Sequence, residues 1–284
     1  MPVWFVLGAG YTGTRLVERL ARETTDEVIL TRRDAAVATV QAAAAQQLAA
    51  QGTAGVRVRG IAAELAKPET LRGAIPAGAI VVCTAPPGED PAREIAHLAE
   101  AAADAARLIY ISSTGVYGPG GGAWVDETWP VAPFTSSGLA RAAAEAALPA
   151  TAIALRAAGI YGPDRSTADR IVAGTYRVVG DGRSHVSRIH VDDLVEAIIR
   201  AAAAPTDVRG PINCADDDPA PIGEVADAIA AKLGLPPPPR VDPSKVAVEV
   251  AGMLTANRRI ANTRMKQELG VVLRYPSWRD ALAS

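Results

Sequence analysis

The chain has only two cysteines and three histidines in 284 residues. Cys83 and Cys214 lie far apart, each inside an apolar, strand-like run. That excludes a disulfide framework and predicts buried free thiols in a reducing compartment. His97, His185 and His190 are dispersed without ligand spacing, so no structural zinc is expected. An excess of charge is missing as well. A formal net charge of -2 with 21% charged residues argues against a disordered tail or a nucleic-acid-binding surface and leaves a small molecule as the default partner. No apolar run is long enough to cross a membrane. Met1, Pro2, Val3 and Trp4 lead into a strand pattern without a basic leader or cleavage site, which predicts a cytoplasmic location. No internal repeat is evident. Much of the 49% hydrophobic fraction is alanine, as at 42–45, and this reads as helix propensity.

What is present is a regular alternation. Val3, Trp4, Phe5, Val6 and Leu7 form a short apolar run ending at Gly8, after which Leu16, Val17 and Leu20 fall on helical spacing. Further strands are expected at 28–30, 56–58, 79–84, 108–112 and 152–155, separated by Ala-rich helical stretches. The pattern predicts an α/β fold with a doubly wound parallel sheet and a smaller C-terminal substrate lobe. The nucleotide-binding domain is expected at 1–155, completed by roughly 186–214, and the lobe at 156–185 and 215–284. Helices are expected after Asp192 and after Ile222, with a stiff proline connector at 236–239 and a final segment, 258–284, lying across the lobe. The Ala-rich helices suit a monomer or a homodimer.

Gly8, Ala9, Gly10, Tyr11, Thr12 and Gly13 satisfy G-x-G-x-x-G directly after a strand and at the opening of a helix, the context in which the motif binds a dinucleotide. Gly8 allows the tight turn, Gly10 lets a pyrophosphate approach the backbone, and Gly13 lets helix and strand pack closely. The helix start, including Tyr11 and Thr12, supplies amide donors. Thr84 and Ala85, at the end of the fourth strand, are assigned to the same site. The second strand ends in Thr31, Arg32 and Arg33 and lacks the acid that would accept from a ribose 2′-hydroxyl. Two guanidinium groups there suit a 2′-phosphate, each contact being worth about 1.5–3 kcal/mol, so NADP is the expected cofactor. The bland alternative is a pair of solvated surface arginines.

Ile111, Ser112, Ser113, Thr114, Gly115, Val116, Tyr117 and Gly118, followed by Val125, Asp126, Glu127 and Thr128, resemble the sugar-nucleotide epimerase/dehydratase branch of the extended short-chain dehydrogenases. The later landmarks Leu155, Arg156, Gly159, Ile160, Tyr161, Gly162 and Pro163, then Arg188, Ile189, His190, Val191, Asp192 and Asp193, then Pro211, Ile212 and Asn213, follow in the family's order. The resemblance implies that Ser113 holds the substrate oxygen and that a Tyr-x-x-x-Lys pair on the next helix moves the proton. Here that pair is altered. Spacing from Ser113 and from Glu145 places Ser137 on the tyrosine and Arg141 on the lysine. A serine hydroxyl is far less acidic than a phenol and reaches less far. Arg141 keeps its charge and so can bind ribose or stabilise an oxyanion, and it does not donate a proton. This altered helix and the sequence Asn257, Arg258, Arg259, Ile260, Ala261 and Asn262 resemble an atypical bacterial subgroup of NAD(P)-binding, epimerase-like oxidoreductases.

Tyr117, Tyr161 and His190 are candidate replacements for the acid, each with a structural alternative: the tyrosines buried against the sheet, the histidine a satisfied interlobe residue. Asp192 and Asp193 read as helix-capping groups. Asp126 and Glu127 either orient substrate hydroxyls or belong to a solvated loop. Two functions follow. One is an NADP-dependent oxidoreductase or epimerase-like enzyme transferring hydride to or from a small polar carbonyl or hydroxyl compound, such as a sugar-nucleotide-like one, at a site between the lobes. The other is a non-catalytic NADP(H)-binding sensor or scaffold.

Overall fold

The structure, a computed structural model, describes residues 2–23, 27–51 and 55–283. Met1, the first residue of the expected nucleotide-binding domain, and Ser284, the last of the expected lobe, lie outside them. The chain divides into two compact units: Met1–Ser112, Ala143–Leu155 and Val195–Pro211 form the first, and Ser113–Ala142, Arg156–Leu194 and Ile212–Ser284 the second.

The first unit opens with β1 (Trp4–Leu7), α1 (Tyr11–Glu23), β2 (Glu27–Arg32), α2 (Ala35–Gln51), β3 (Arg57–Ala62), β4 (Ile80–Cys83), α3 (Pro91–Ala101) and β5 (Arg107–Ser113). Beyond it the chain runs through β6 (Trp124–Val125), α4 (Ser136–Ala146), β7 (Ile153–Ala157), β8 (Gly159–Tyr161), α5 (Thr167–Val172), β9 (Val178–Val179), β10 (His185–Val186), β11 (Arg188–His190), α6 (Val191–Ala203) and β12 (Gly210–Cys214). It ends with β13 (Ala220–Pro221), α7 (Ile222–Lys232), β14 (Arg240–Val241), α8 (Val248–Thr255), β15 (Arg259–Ile260), α9 (Thr263–Glu268) and α10 (Trp278–Ala283).

The seven-stranded sheet has the order β12-β7-β5-β4-β1-β2-β3. The pairs β1·β2, β2·β3, β1·β4 and β4·β5 are parallel. Strand order reverses between β1 and β4, and a doubly wound sheet binds its ligand outside the carboxyl ends of its strands at such a reversal. β1 and β4 are buried at every position, as strands covered by helices on both faces must be. The core beneath them joins Phe5, Leu7, Val81, Cys83, Ile95, Leu98 and Tyr110. Both cysteines are buried free thiols.

The third strand departs from its expected span. It runs to Ala62 through Gly60, where a Cβ would stand 2.2 Å from the Ala38 carbonyl oxygen of α2. Helix and strand approach so closely that glycine is required, and apolar patterning does not register glycine. Residues 113–142, expected with the nucleotide-binding domain, group with the second unit. β6 pairs with β15, and Arg258 Nη1 donates to the carbonyls of Tyr117 and Gly118. Such pairings join segments over a hundred residues apart and leave no local signature.

Candidate functional site

In the first unit the glycine turn is closed by its own backbone and by its neighbours. Gly10 N donates to Gly8 O at 2.6 Å, Ala9 N to Thr31 O at 2.9 Å, and Gly8 N to the Thr31 hydroxyl at 3.0 Å. Thr84 and Ala85 complete it from β4: Thr84 Oγ1 donates to Gly8 O at 2.5 Å and Ala85 N to Leu7 O at 3.1 Å. Gly8 has φ +90°, and a Cβ on it would meet Ala85 at 2.8 Å. A Cβ on Gly13 would stand 2.8 Å from both Gly8 O and Thr84 Oγ1. These two glycines are therefore demanded by packing. Gly10 is different: its Cβ would reach no protein atom nearer than 3.8 Å. The protein itself does not need glycine there, and a side chain would fill the cradle in front of the helix start where a pyrophosphate approaches. The residues present thus fit a dinucleotide.

Arg32 is half-buried, and its Nη1 donates to Ala9 O at 2.8 Å, tying the end of β2 to the turn. Arg33 is exposed. The acid that follows, Asp34, accepts through Oδ1 from Ala36 N at 2.7 Å and Val37 N at 3.1 Å, so it caps α2 and is spent there. Gln41, which sequence reading missed, reaches Ala9 O and Thr14 Oγ1 from α2, both at 3.4 Å. No local pattern marks a glutamine for that task.

In the second unit, Ser113 is half-buried, and its hydroxyl accepts from Gly115 N at 3.0 Å. The first turn of α4 packs directly on this loop, since a Cβ on Gly138 would stand 2.4 Å from Gly115 O. The loop carrying Ser113 and the turn carrying Ser137 are thus brought together. Ser137 is exposed, with its hydroxyl 3.5 Å from Thr135 Oγ1 and from Glu249 Oε2. Arg141, half-buried, follows one turn later on the same helix face. Glu249, on α8, also accepts from Ser136 N at 2.6 Å and from the Ser136 hydroxyl. These hydrogen bonds, the Ser136 hydroxyl foremost, hold its carboxyl below the usual range. A carboxylate more than a hundred residues away in sequence thereby caps α4, which spacing could not reveal.

Tyr117 requires a correction. The side chain is fully buried, its hydroxyl donates to Asn213 Oδ1 at 2.9 Å, and it accepts from Arg156 Nη1 at 2.8 Å. Burial raises its pKa above the phenol range. With no exposure and its hydrogen bonds committed, the phenol is a structural tie and not a proton donor. Glu127 accepts from Asn213 N at 2.7 Å, and Asp126 accepts from Thr128 N and Oγ1, so both carboxylates serve the fold.

The helix-capping expectation is reversed in detail. His190 Nδ1 accepts from Asp192 N at 3.2 Å at the start of α6, while Asp193 accepts from Arg274 N at 2.8 Å and Tyr275 N at 3.0 Å. His190 is enclosed between Tyr161, edge-on at 5.2 Å, and Tyr275 at 3.8 Å. The Tyr161 hydroxyl is buried with no hydrogen-bond partner among the described residues, and burial drives its pKa far up.

Nearby, Asp216 is 2% exposed, and its Oδ2 has no hydrogen-bond partner among the described residues. Burial pushes its carboxyl up to about 8 against the opposing pull of Arg188, with Asp218 and Asp217 adding to the rise. Because the folded value lies above the unfolded one, its stabilising contribution is complete below the unfolded carboxylate range and is lost as pH rises through about 8. The urea midpoint should therefore fall between pH 5 and pH 9, and Asp216→Asn should flatten that decline. An unchanged slope in the variant would refute the assignment.

Among the described residues, no group of three or more His, Cys, Asp or Glu side chains is arranged to hold a metal ion, and no helix is long and apolar enough to cross a membrane. The sheet order and the glycine turn define a Rossmann-type nucleotide-binding protein. The model of the NAD dependent epimerase/dehydratase family matches residues 4–215, and the chain belongs to that family. A Streptomyces protein named 3-diazoavenalumate denitrifying reductase is 35% identical over 209 aligned positions, covering 66% of this chain and 68% of that one. Among solved structures, a functionally unknown conserved protein from Silicibacter pomeroyi is 29% identical, with TM-score 0.80, covering 100% of this chain and 97% of that chain. The human epimerase family protein SDR39U1, solved with NADPH, is 20% identical with TM-score 0.74, covering 99% of this chain and 98% of that chain. At that identity the likeness concerns the fold.

Proposed function

We propose that the protein is an NADP-preferring oxidoreductase that reduces a small polar carbonyl compound or oxidises the corresponding alcohol. The observation that carries the reading is the glycine turn with Arg32 anchored on it, Arg33 beside it, and the next acid along the chain, Asp34, consumed as a helix cap. Gly8, Gly10, Tyr11, Thr12, Gly13, Thr84 and Ala85 would hold the dinucleotide, and Arg32 and Arg33 would take its 2′-phosphate. The bound nicotinamide supplies the hydride chemistry. Ser113 holds the reacting oxygen, and Arg141 positions ribose or stabilises negative charge on that oxygen. Ser137 lies at the place the family gives to its proton donor. With Tyr117 sequestered, water or a group of the substrate completes proton transfer. The name of the Streptomyces relative, a reductase, favours the reducing direction.

Ser113→Ala is expected to lower turnover at least about tenfold, the loss of one positioning hydrogen bond, with NADPH affinity unchanged. Equal turnover would remove Ser113 from the mechanism. The second reading, a dinucleotide-binding protein without turnover, is favoured by the burial of Tyr117 and by the serine at position 137. NADPH absorbance followed across a panel of aldehydes and ketones separates the two. A substrate-dependent fall rejects the binding-only reading, and a flat trace across the panel supports it.

A further inference from the structure

We propose that the second unit carries a recognition site for a planar aromatic carboxylate, built from Trp124, Arg259 and His185. β6 and β15 run parallel with Trp124 in register with Arg259 and Val125 with Ile260. Val125 and Ile260 are buried, at 0% and 2% exposure. Side chains alternate across a strand, so Trp124 and Arg259 share the opposite face. Trp124 is 56% exposed there. A large indole held open to solvent on a rigid strand is a stacking platform.

The guanidinium beside it is held in place. Asn257 Oδ1, an acceptor only, takes a hydrogen bond from His185 N at 2.9 Å and lies 3.3 Å from His185 Nδ1. That places the imidazole proton on Nδ1 and leaves Nε2 to accept from Arg259 Nη2, at 3.2 Å. Arg259 is thus oriented by a neutral ring, and no carboxylate among the described residues pairs with it. Acids near the three residues in sequence are already used: Glu268 by Arg264 at 2.6 and 2.7 Å, Glu249 by Ser136 N at 2.6 Å, Asp126 by Thr128 at 2.9 and 2.6 Å, and Asp181 by Arg183 at 2.6 Å. An oriented arginine whose charge is uncompensated binds a carboxylate well through its planar fork. Neighbouring strands stand about 4.8 Å apart. With the two backbones that close, a carboxylate attached to an arene stacked on the indole comes within reach of the guanidinium.

The inference does not depend on the redox reading. Its test follows the four indole N–H signals of the ¹⁵N-labelled protein by NMR during titration with 2-naphthoate and, separately, with the neutral 2-naphthamide. Trp124→Phe assigns the signal. The Trp124 signal should move saturably with naphthoate, at least about tenfold more tightly than with the amide, and Arg259→Gln should reduce naphthoate to the level of the amide. No movement of that signal, equal affinity for the two compounds, or a preference that survives Arg259→Gln would overturn the proposal. The wild-type comparison stands even if a variant fails to fold. Calorimetry with NADPH on the same samples keeps the two readings apart, since loss of dinucleotide binding bears only on the redox reading.

Discussion

Gly10→Ala should weaken NADPH binding by at least about a hundredfold, a loss of roughly 2.7 kcal/mol, while the urea midpoint barely moves. The Cβ would stand 3.8 Å from Gly8 O and 4.0 Å from Arg32 Nη1, ordinary contact distances. Gly10 does not occupy the left-handed region, so folding should change by no more than about 0.5 kcal/mol. The added methyl group instead occupies the space in which a pyrophosphate reaches the helix amides. Gly13→Ala provides the contrast. There the Cβ meets a backbone carbonyl and Thr84 Oγ1 at 2.8 Å, so stability should fall by about 1–3 kcal/mol and binding with it. Calorimetric titration beside urea denaturation reads both quantities. If Gly10→Ala binds NADPH as tightly as the parent protein, the turn is not a dinucleotide cradle.

Arg33→Ala should weaken NADPH about tenfold to a hundredfold and leave NADH almost unchanged, because one charge-assisted contact to a phosphate contributes about 1.5–3 kcal/mol. Arg32→Ala should weaken both cofactors, since its Nη1 also holds the Ala9 carbonyl of the turn. The difference between the two variants separates recognition of the 2′-phosphate from support of the loop. Parallel titrations with NADPH and NADH would refute the assignment if the parent protein binds the two equally, or if Arg33→Ala lowers both alike.

The turn proposed to hold the cofactor was legible because its information is local. Gly8, Gly10, Gly13, Arg32 and Arg33 sit within a single strand-turn-helix-strand stretch, and their spacing fixes their geometry. The proposed proton-transfer half was legible only as a difference, Ser137 and Arg141 standing where the resemblance leads one to expect tyrosine and lysine. Its surroundings were hidden. Glu249 reaches Ser136 and Ser137 from α8, and the Tyr117 hydroxyl is taken by Arg156 and Asn213. Each of these contacts joins segments dozens to more than a hundred residues apart, and no periodicity encodes such a meeting.

By itself the sequence determined the doubly wound sheet, the glycine turn and the basic end of β2, because apolar period, turn chemistry and charge act over a few residues. Tertiary structure alone decided that Tyr117 is spent on the core, that Asp216 is buried with an oxygen left without a partner among the described residues, and that Trp124 stands beside Arg259. Burial and hydrogen-bond partners arise only when distant strands come into register. A residue's chemistry is present in the sequence, and its availability for that chemistry is settled by what folds against it.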